Sequence, residues 1–104
     1  MDINYVILSG TLVRKPEIRY NPKGNPVVTF ALAFSYPSKG LHKTREEMSV
    51  IEVIAPGSGM EDRLQEGKRV LVNGKLKQRR WTTPQGINRN CLEVVADRVR
   101  CLEG

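Results

Sequence analysis

The most restrictive pattern in this chain runs from Val27 to Tyr36. Val28, Phe30, Leu32, Phe34 and Tyr36 hold one set of alternate positions, and Thr29, Ala31, Ala33 and Ser35 hold the other. Successive side chains of a strand point to opposite faces, so the segment reads as a strand with one large face and one small face. The wall of a tight barrel needs such a strand, because its taper takes bulky residues on one side and small ones on the other.

The rest of the chain is read around that strand. Asn4 to Val13 is rich in β-branched and aliphatic residues, with Gly10 inside it. After Pro16, Glu17 to Tyr20 forms a short extended piece. Asn21-Pro22-Lys23-Gly24-Asn25-Pro26 is dense in turn formers and predicts a reverse turn. Further strands are expected at Met48–Ala55, Arg69–Trp81 and Arg89–Leu102, the last two joined by a hairpin at Thr82-Thr83-Pro84-Gln85-Gly86. The polar segment from Pro37 to Glu47 reads as a long loop. Pro56-Gly57-Ser58-Gly59 breaks the third strand. Ser58 or Gly59 is placed to cap a short helix over Met60–Glu66, and Gly67 to end it in the left-handed conformation. Three strands, one short helix and two strands, with Gly10 and Gly74 inside long curving strands, is the order of an all-β, five-stranded Greek-key barrel. The 104 residues fit a single domain, residues 1–104, near the size at which a barrel gains from self-association.

Composition narrows the functional classes. An apolar content of 39% with well-mixed charge is that of a globular chain. Seventeen Lys and Arg against eleven Asp and Glu give a net charge of +6 and a pI near 9.7. That balance suits a polyanionic partner and also a merely solvated basic surface, so the distribution of charge has to decide. No apolar run is long enough to cross a membrane, and the N-terminus lacks a signal peptide's basic start and apolar core, which places the chain in the cytoplasm. Cys91 and Cys101 fit no metal spacing and are too few for a disulfide framework. On one strand, ten residues at about 3.3 Å each would hold them well beyond the roughly 7 Å limit for bridging.

Charge distribution points to the fourth strand. No acidic residue lies between Glu66 and Glu93, whereas Lys68, Arg69, Lys75, Lys77, Arg79, Arg80 and Arg89 all do. Period-two alternation puts Val70, Val72 and Leu76 on one face, and Lys75, Lys77, Arg79 and Trp81 on the other. A row of cations ending in the chain's only tryptophan supplies phosphate attraction and a flat surface for a base. The structural alternative is a solvent-facing strand whose Trp packs on its own hairpin stem. A second basic cluster, Arg14, Lys15, Arg19, Tyr20 and Lys23, crosses the first hairpin, where Tyr20 either stacks a base or covers the barrel rim. Phe30 and Leu32 read as core, and Phe34 and Tyr36 either continue it or reach the binding side. Enzymatic readings find no support. His42 is the only histidine and stands in the polar loop without a triad or ligand set. The adjacent pairs Glu46-Glu47 and Glu61-Asp62 diverge, and Gly57-Ser58-Gly59 lacks the ending of a phosphate loop. Neither an active site nor a cofactor or metal site is expected.

The chain resembles the bacterial single-stranded DNA-binding proteins and their relative, primosomal replication protein N. The matching blocks are Asn4-Tyr5-Val6-Ile7-Leu8-Ser9-Gly10-Thr11-Leu12, Pro16-Glu17-Ile18-Arg19-Tyr20, Gly24, Val27-Val28 and Phe30-Ala31-Leu32-Ala33. Gly67, Val70, Val72, Gly74-Lys75-Leu76, Arg79-Arg80-Trp81-Thr82, Gly86, Arg89 and Glu93-Val94-Val95-Ala96-Asp97 follow in order. The resemblance implies an OB-fold barrel that assembles into homodimers or homotetramers, with the first strand in the dimer contact. It implies sequence-tolerant binding of single-stranded DNA in replication, recombination or repair, and contact with the proteins of those processes. Trp81 stands at the position of a base-stacking Trp, and Arg14, Lys75, Lys77, Arg79 and Arg80 at basic positions along the strand's path.

Two departures qualify the resemblance. The third strand of the family carries a Trp, a basic residue two positions on and an aromatic farther along, which align here with Val50, Glu52 and Pro56. The loop after the second strand offers another Trp where this chain has Ser38 or its neighbours. Most of the stacking platform is thereby replaced, Glu52 is expected to repel phosphate, and electrostatics takes a larger share of affinity. The family also carries a long flexible tail with an acidic tip, whereas this sequence stops at Cys101-Leu102-Glu103-Gly104. Either the tail has been removed or the barrel is naturally tail-less. A tail-less barrel with few aromatics looks more like the primosomal protein, a replication-restart adaptor that bridges single-stranded DNA and a helicase. The motif blocks look closer to the single-stranded DNA-binding proteins. An RNA-binding barrel of the cold-shock type would need surface aromatic clusters that are scarce here.

Overall fold

A computed structural model describes residues 1–40, 43–57 and 61–102. The strands are β1 (Val6–Leu12), β2 (Glu17–Tyr20), β3 (Pro26–Lys39), β4 (Thr44–Pro56), β5 (Arg69–Thr82) and β6 (Asn88–Cys101). They form one sheet in the order β1-β5-β6-β4-β3-β2, and an extra β1–β3 pairing closes β1, β5, β6, β4 and β3 into a ring. The closing contact between β4 and β6 is parallel, with Val53 beside Val94. This is the five-stranded OB barrel expected from the strand order.

The sixth strand is the far end of the first. Thr11 and Leu12 of β1 face Ala33 and Leu32, and Glu17 and Ile18 of β2 face Thr29 and Val28 of the same strand β3. Residues 13–16 therefore bulge out opposite residues 30 and 31, and a single bent strand registers as two. A bulge of this kind re-aims side chains at a barrel rim, and here it throws Arg14 and Lys15 outward.

The alternation along β3 is realised as read. Val28, Phe30 and Leu32 are fully buried and meet Leu12, Val53, Val70, Val72 and Val94 in the core. Ala31 and Ala33 are buried on the small face. Close approach explains two glycines: a Cβ at Gly10 would lie 2.2 Å from the Ala33 carbonyl oxygen, and one at Gly74 2.2 Å from that of Val95. Gly74 also marks a register shift between β5 and β6. There the Asn4 side chain ends the β1–β5 pairing, its amide accepting from Leu76 N and donating to Leu76 O, each at 2.8 Å.

Two expectations need correction. The segment from Pro37 to Glu47 is not a long loop. β3 and β4 stay in antiparallel register out to Lys39 and Thr44, and the Gly40 N–H donates to the Lys43 carbonyl at 2.8 Å. Both faces of this arm are largely solvated, so its strands carry no burial alternation and are held by the backbone ladder. Pro37 lies where β3 borders β4 alone, the edge setting in which proline is tolerated. Leu41 and His42 lie outside the described residues. The short helix is a single 3-10 turn, Glu61–Arg63, rather than a helix over Met60–Glu66, and Ser58, Gly59 and Met60 also lie outside the described residues. Leu64 follows the turn and plugs the barrel floor, while Gly67 has the positive φ expected of it, 89°.

Candidate nucleic-acid interface

Beyond Gly74 the strands β5 and β6 leave the barrel as a second arm. Val70, Val72 and Gly74 are buried, and every residue from Lys75 to Thr82 is exposed. Its tip is a turn in which Thr83 N donates to Ile87 O at 2.8 Å and Ile87 N to Thr83 Oγ1 at 3.1 Å. Alternation sets Lys75, Lys77, Arg79 and Trp81 on one face, and register places Arg89 directly across from Trp81. The Arg79 guanidinium lies 4.8 Å from the Trp81 ring centroid, a cation–π contact that holds the indole at the arm's surface. The residue remains 42% exposed, so the sequence alternative of a Trp packed on its stem is realised only on the side that Arg79 covers.

The same face continues across the barrel. Glu93 of β6 lies beside Glu52 of β4, and Glu52 in turn faces Ala31 of β3. Where these strands meet β2 and the bulge, Arg14, Glu17, Arg19, Thr29, Glu52, Ile54, Arg79 and Glu93 line one cleft of about 120 Å³. The two basic clusters, far apart in sequence, thus converge, with Arg14 and Arg19 on one wall and Arg79 on the other. Carboxylates already engage two of these cations. Arg14 pairs with Glu52, and Arg19 Nη2 lies 3.3 Å from Glu17 Oε2. Glu52, expected to repel phosphate, acts first as the partner of Arg14.

Other sequence candidates fall elsewhere. Lys15 lines a separate surface with Pro16, Ile18 and Leu64. Tyr20 alternates with Arg19 on β2 and points to the side opposite the cleft. Arg80 alternates with Arg79 and donates to Gln78 Oε1 at 2.6 Å, which puts it on the back of the arm. Phe34 and Tyr36 stack at 6.1 Å between centroids where β3 leaves the core, and Tyr36 Oη shares a hydrogen bond with Ser49 Oγ at 3.3 Å. Sequence reasoning missed Glu17, Thr29, Ile54 and Glu93 as cleft residues. Period-two alternation from Lys77 through its cross-strand neighbour was the available signal for Glu93.

A closed five-stranded barrel with a cationic, aromatic-tipped arm defines an OB-type binding domain. The family model for the single-strand binding protein family matches residues 3–102, and the chain belongs to that family. A relative from Thermotoga maritima, a single-stranded DNA-binding protein, is 38% identical over 96% of this chain and 74% of its own length. Among solved structures, a Plasmodium falciparum SSB in complex with ssDNA superposes with a TM-score of 0.87 at 21% identity, covering 99% of this chain and 97% of that one. A deletion mutant of the single-stranded DNA binding protein from Thermus aquaticus superposes at 0.85 with 28% identity, over 98% of this chain and 51% of that one.

Proposed function

We propose that this protein binds single-stranded DNA with little sequence preference, without a chemical step of its own, as one OB-fold domain spanning residues 1–104. It does so in the cytoplasm, in replication, recombination or repair. The observation that carries this reading is the meeting of Arg14, Arg19 and Arg79 in one cleft, continuous with the Lys75, Lys77 and Trp81 face of the arm. The cations track phosphates and the free face of Trp81 stacks a base, a combination that works with any base. Lys15, Tyr20, Arg80 and Arg89 are peripheral contacts to a strand that wraps the barrel. The relatives support the same ligand, since the Thermotoga protein is a single-stranded DNA-binding protein and the Plasmodium structure contains ssDNA. Family membership favours this reading over the replication-restart adaptor.

Assembly fits the same picture. Among the described residues, β1 from Val6 to Gly10 pairs only with β5, which leaves a free strand edge, and Ile3, Tyr5 and Ile7 are exposed around it. An open apolar edge is a template for pairing with another chain, and a homodimer, or a homotetramer built from it, covers this one.

The test is a titration with oligo-dT at two salt concentrations, following Trp81 fluorescence. Strong quenching and an affinity that falls steeply with salt are expected. Binding without quenching would remove the stacking role, and no binding at low salt would overturn the reading.

A further inference from the structure

Glu93 is 3% exposed, and among the described residues no hydrogen bond or ion pair reaches its carboxylate. A carboxylate only accepts hydrogen bonds, and this one is not sealed in: no buried side-chain oxygen among the described residues lacks a partner, so its oxygens open into the cleft. Its neighbours do not engage it. Glu52 stands beside it in parallel register and gives its own charge to Arg14. Lys77 lies across from it in register without forming an ion pair. Of the other cations lining the cleft, Arg19 is engaged by Glu17 and Arg79 by Trp81. The cleft therefore offers an acceptor, between Glu52 and Lys77 in register, that no side chain engages, with Arg14, Arg19 and Arg79 in the same lining. Phosphates take the exposed cations around the cleft, and directly beside Glu93 and Glu52 a phosphate is disfavoured. A flat, neutral group with N–H donors on its edge suits the same space, with planar guanidiniums available to stack on it.

We propose that this cleft is a base subsite that prefers guanine, with Glu93 accepting hydrogen bonds from its Watson–Crick edge. The inference rests on the single-stranded DNA reading and adds a local preference to it. Guanine presents two adjacent donors on that edge, N1–H and the N2 amino group, which match the two oxygens of one carboxylate. Thymine offers one N–H flanked by two carbonyl acceptors. Adenine and cytosine each set a ring-nitrogen lone pair beside their amino group, against the carboxylate. A bidentate contact of this kind discriminates by about tenfold. On Trp81 and the lysine track, binding stays indifferent to base identity, so the preference is confined to the nucleotide in the cleft.

The experiment compares oligo-dT with alternating dT–dG and dT–dI strands of equal length, by fluorescence anisotropy on the intact protein. Inosine keeps the N1–H and loses only the N2 amino group. The expected result is binding of the dG strand about tenfold tighter than the dI strand, with that ratio falling to near one in E93Q. Equal affinity for the dG and dI strands, with oligo-dT still bound, would overturn the guanine subsite and leave the single-strand reading standing. Retention of the full ratio in E93Q would overturn the assignment to Glu93. Failure to bind oligo-dT at low salt would remove both. The comparison of strands on the unaltered protein needs no variant, so a folding defect in E93Q cannot mask the answer.

Discussion

Replacing Trp81 with Ala separates stacking from charge. Arg79 covers one face of the indole at 4.8 Å, so a base takes the other face and need not displace the guanidinium. The cation–π contact is then present before and after binding and cancels from the affinity. What the substitution removes is one base stack, about 1–3 kcal/mol, or roughly a 5- to 150-fold weaker complex. No charge is lost, so the slope of log affinity against log salt stays unchanged. The residue lies on the arm rather than in the barrel, and the unfolding midpoint should hardly move. The assay is anisotropy of a labelled oligonucleotide over a salt series, repeated on oligo-dT, oligo-dA and oligo-dC. Weakening on all three strands with a constant slope is the expected outcome. A change below twofold at every salt concentration would refute the stacking geometry, and a shallower slope would mean that Arg79 depends on Trp81 for its phosphate contact.

Other substitutions probe different parts of the same account. Glu52→Gln frees Arg14 and removes a negative charge from the cleft; an exposed pair of this kind is worth about 0.2–1 kcal/mol, so affinity for oligo-dT should rise by a few-fold at low salt and the gain should fade at high salt. Lys77→Ala should lower the salt slope by about 0.7, read from the same series, with no effect on Trp81 quenching. Gly74→Ala would force a Cβ against the Val95 carbonyl and should cost about 1–3 kcal/mol or more, measured by urea denaturation. Phe30→Ala empties the centre of the core and should destabilise by about 3–5 kcal/mol on the same assay.

The barrel was legible because its strands alternate between a packed interior and solvent. Val28, Phe30 and Leu32, or Val70 and Val72, announce an inward face by their size alone. The β3–β4 arm was not legible for the opposite reason. Residues such as Ser38, Lys39, Glu46 and Glu47 are paired through backbone groups common to every residue, with no buried side to write into the sequence. The basic face of β5 could be read, since its cations alternate on a single strand. The cleft could not, because the Arg14–Arg19 cluster, Glu52, Arg79 and Glu93 come from four separate stretches that only barrel closure brings together. Glu93 looked like the boundary of an acid-free stretch, and the cross-strand neighbours that make it unusual lie on β4 and β5.

The register shift at Gly74 divides β5 into two mutational territories. Below it, Val70 and Val72 are locked into the interior and answer to folding. Above it, Lys75 through Trp81 face water and answer to the ligand. A joint of this kind lets drift on the arm retune charge, aromatic content and base preference while the barrel stays intact. Family members that keep this glycine are therefore expected to vary widely in grip strength at nearly constant stability.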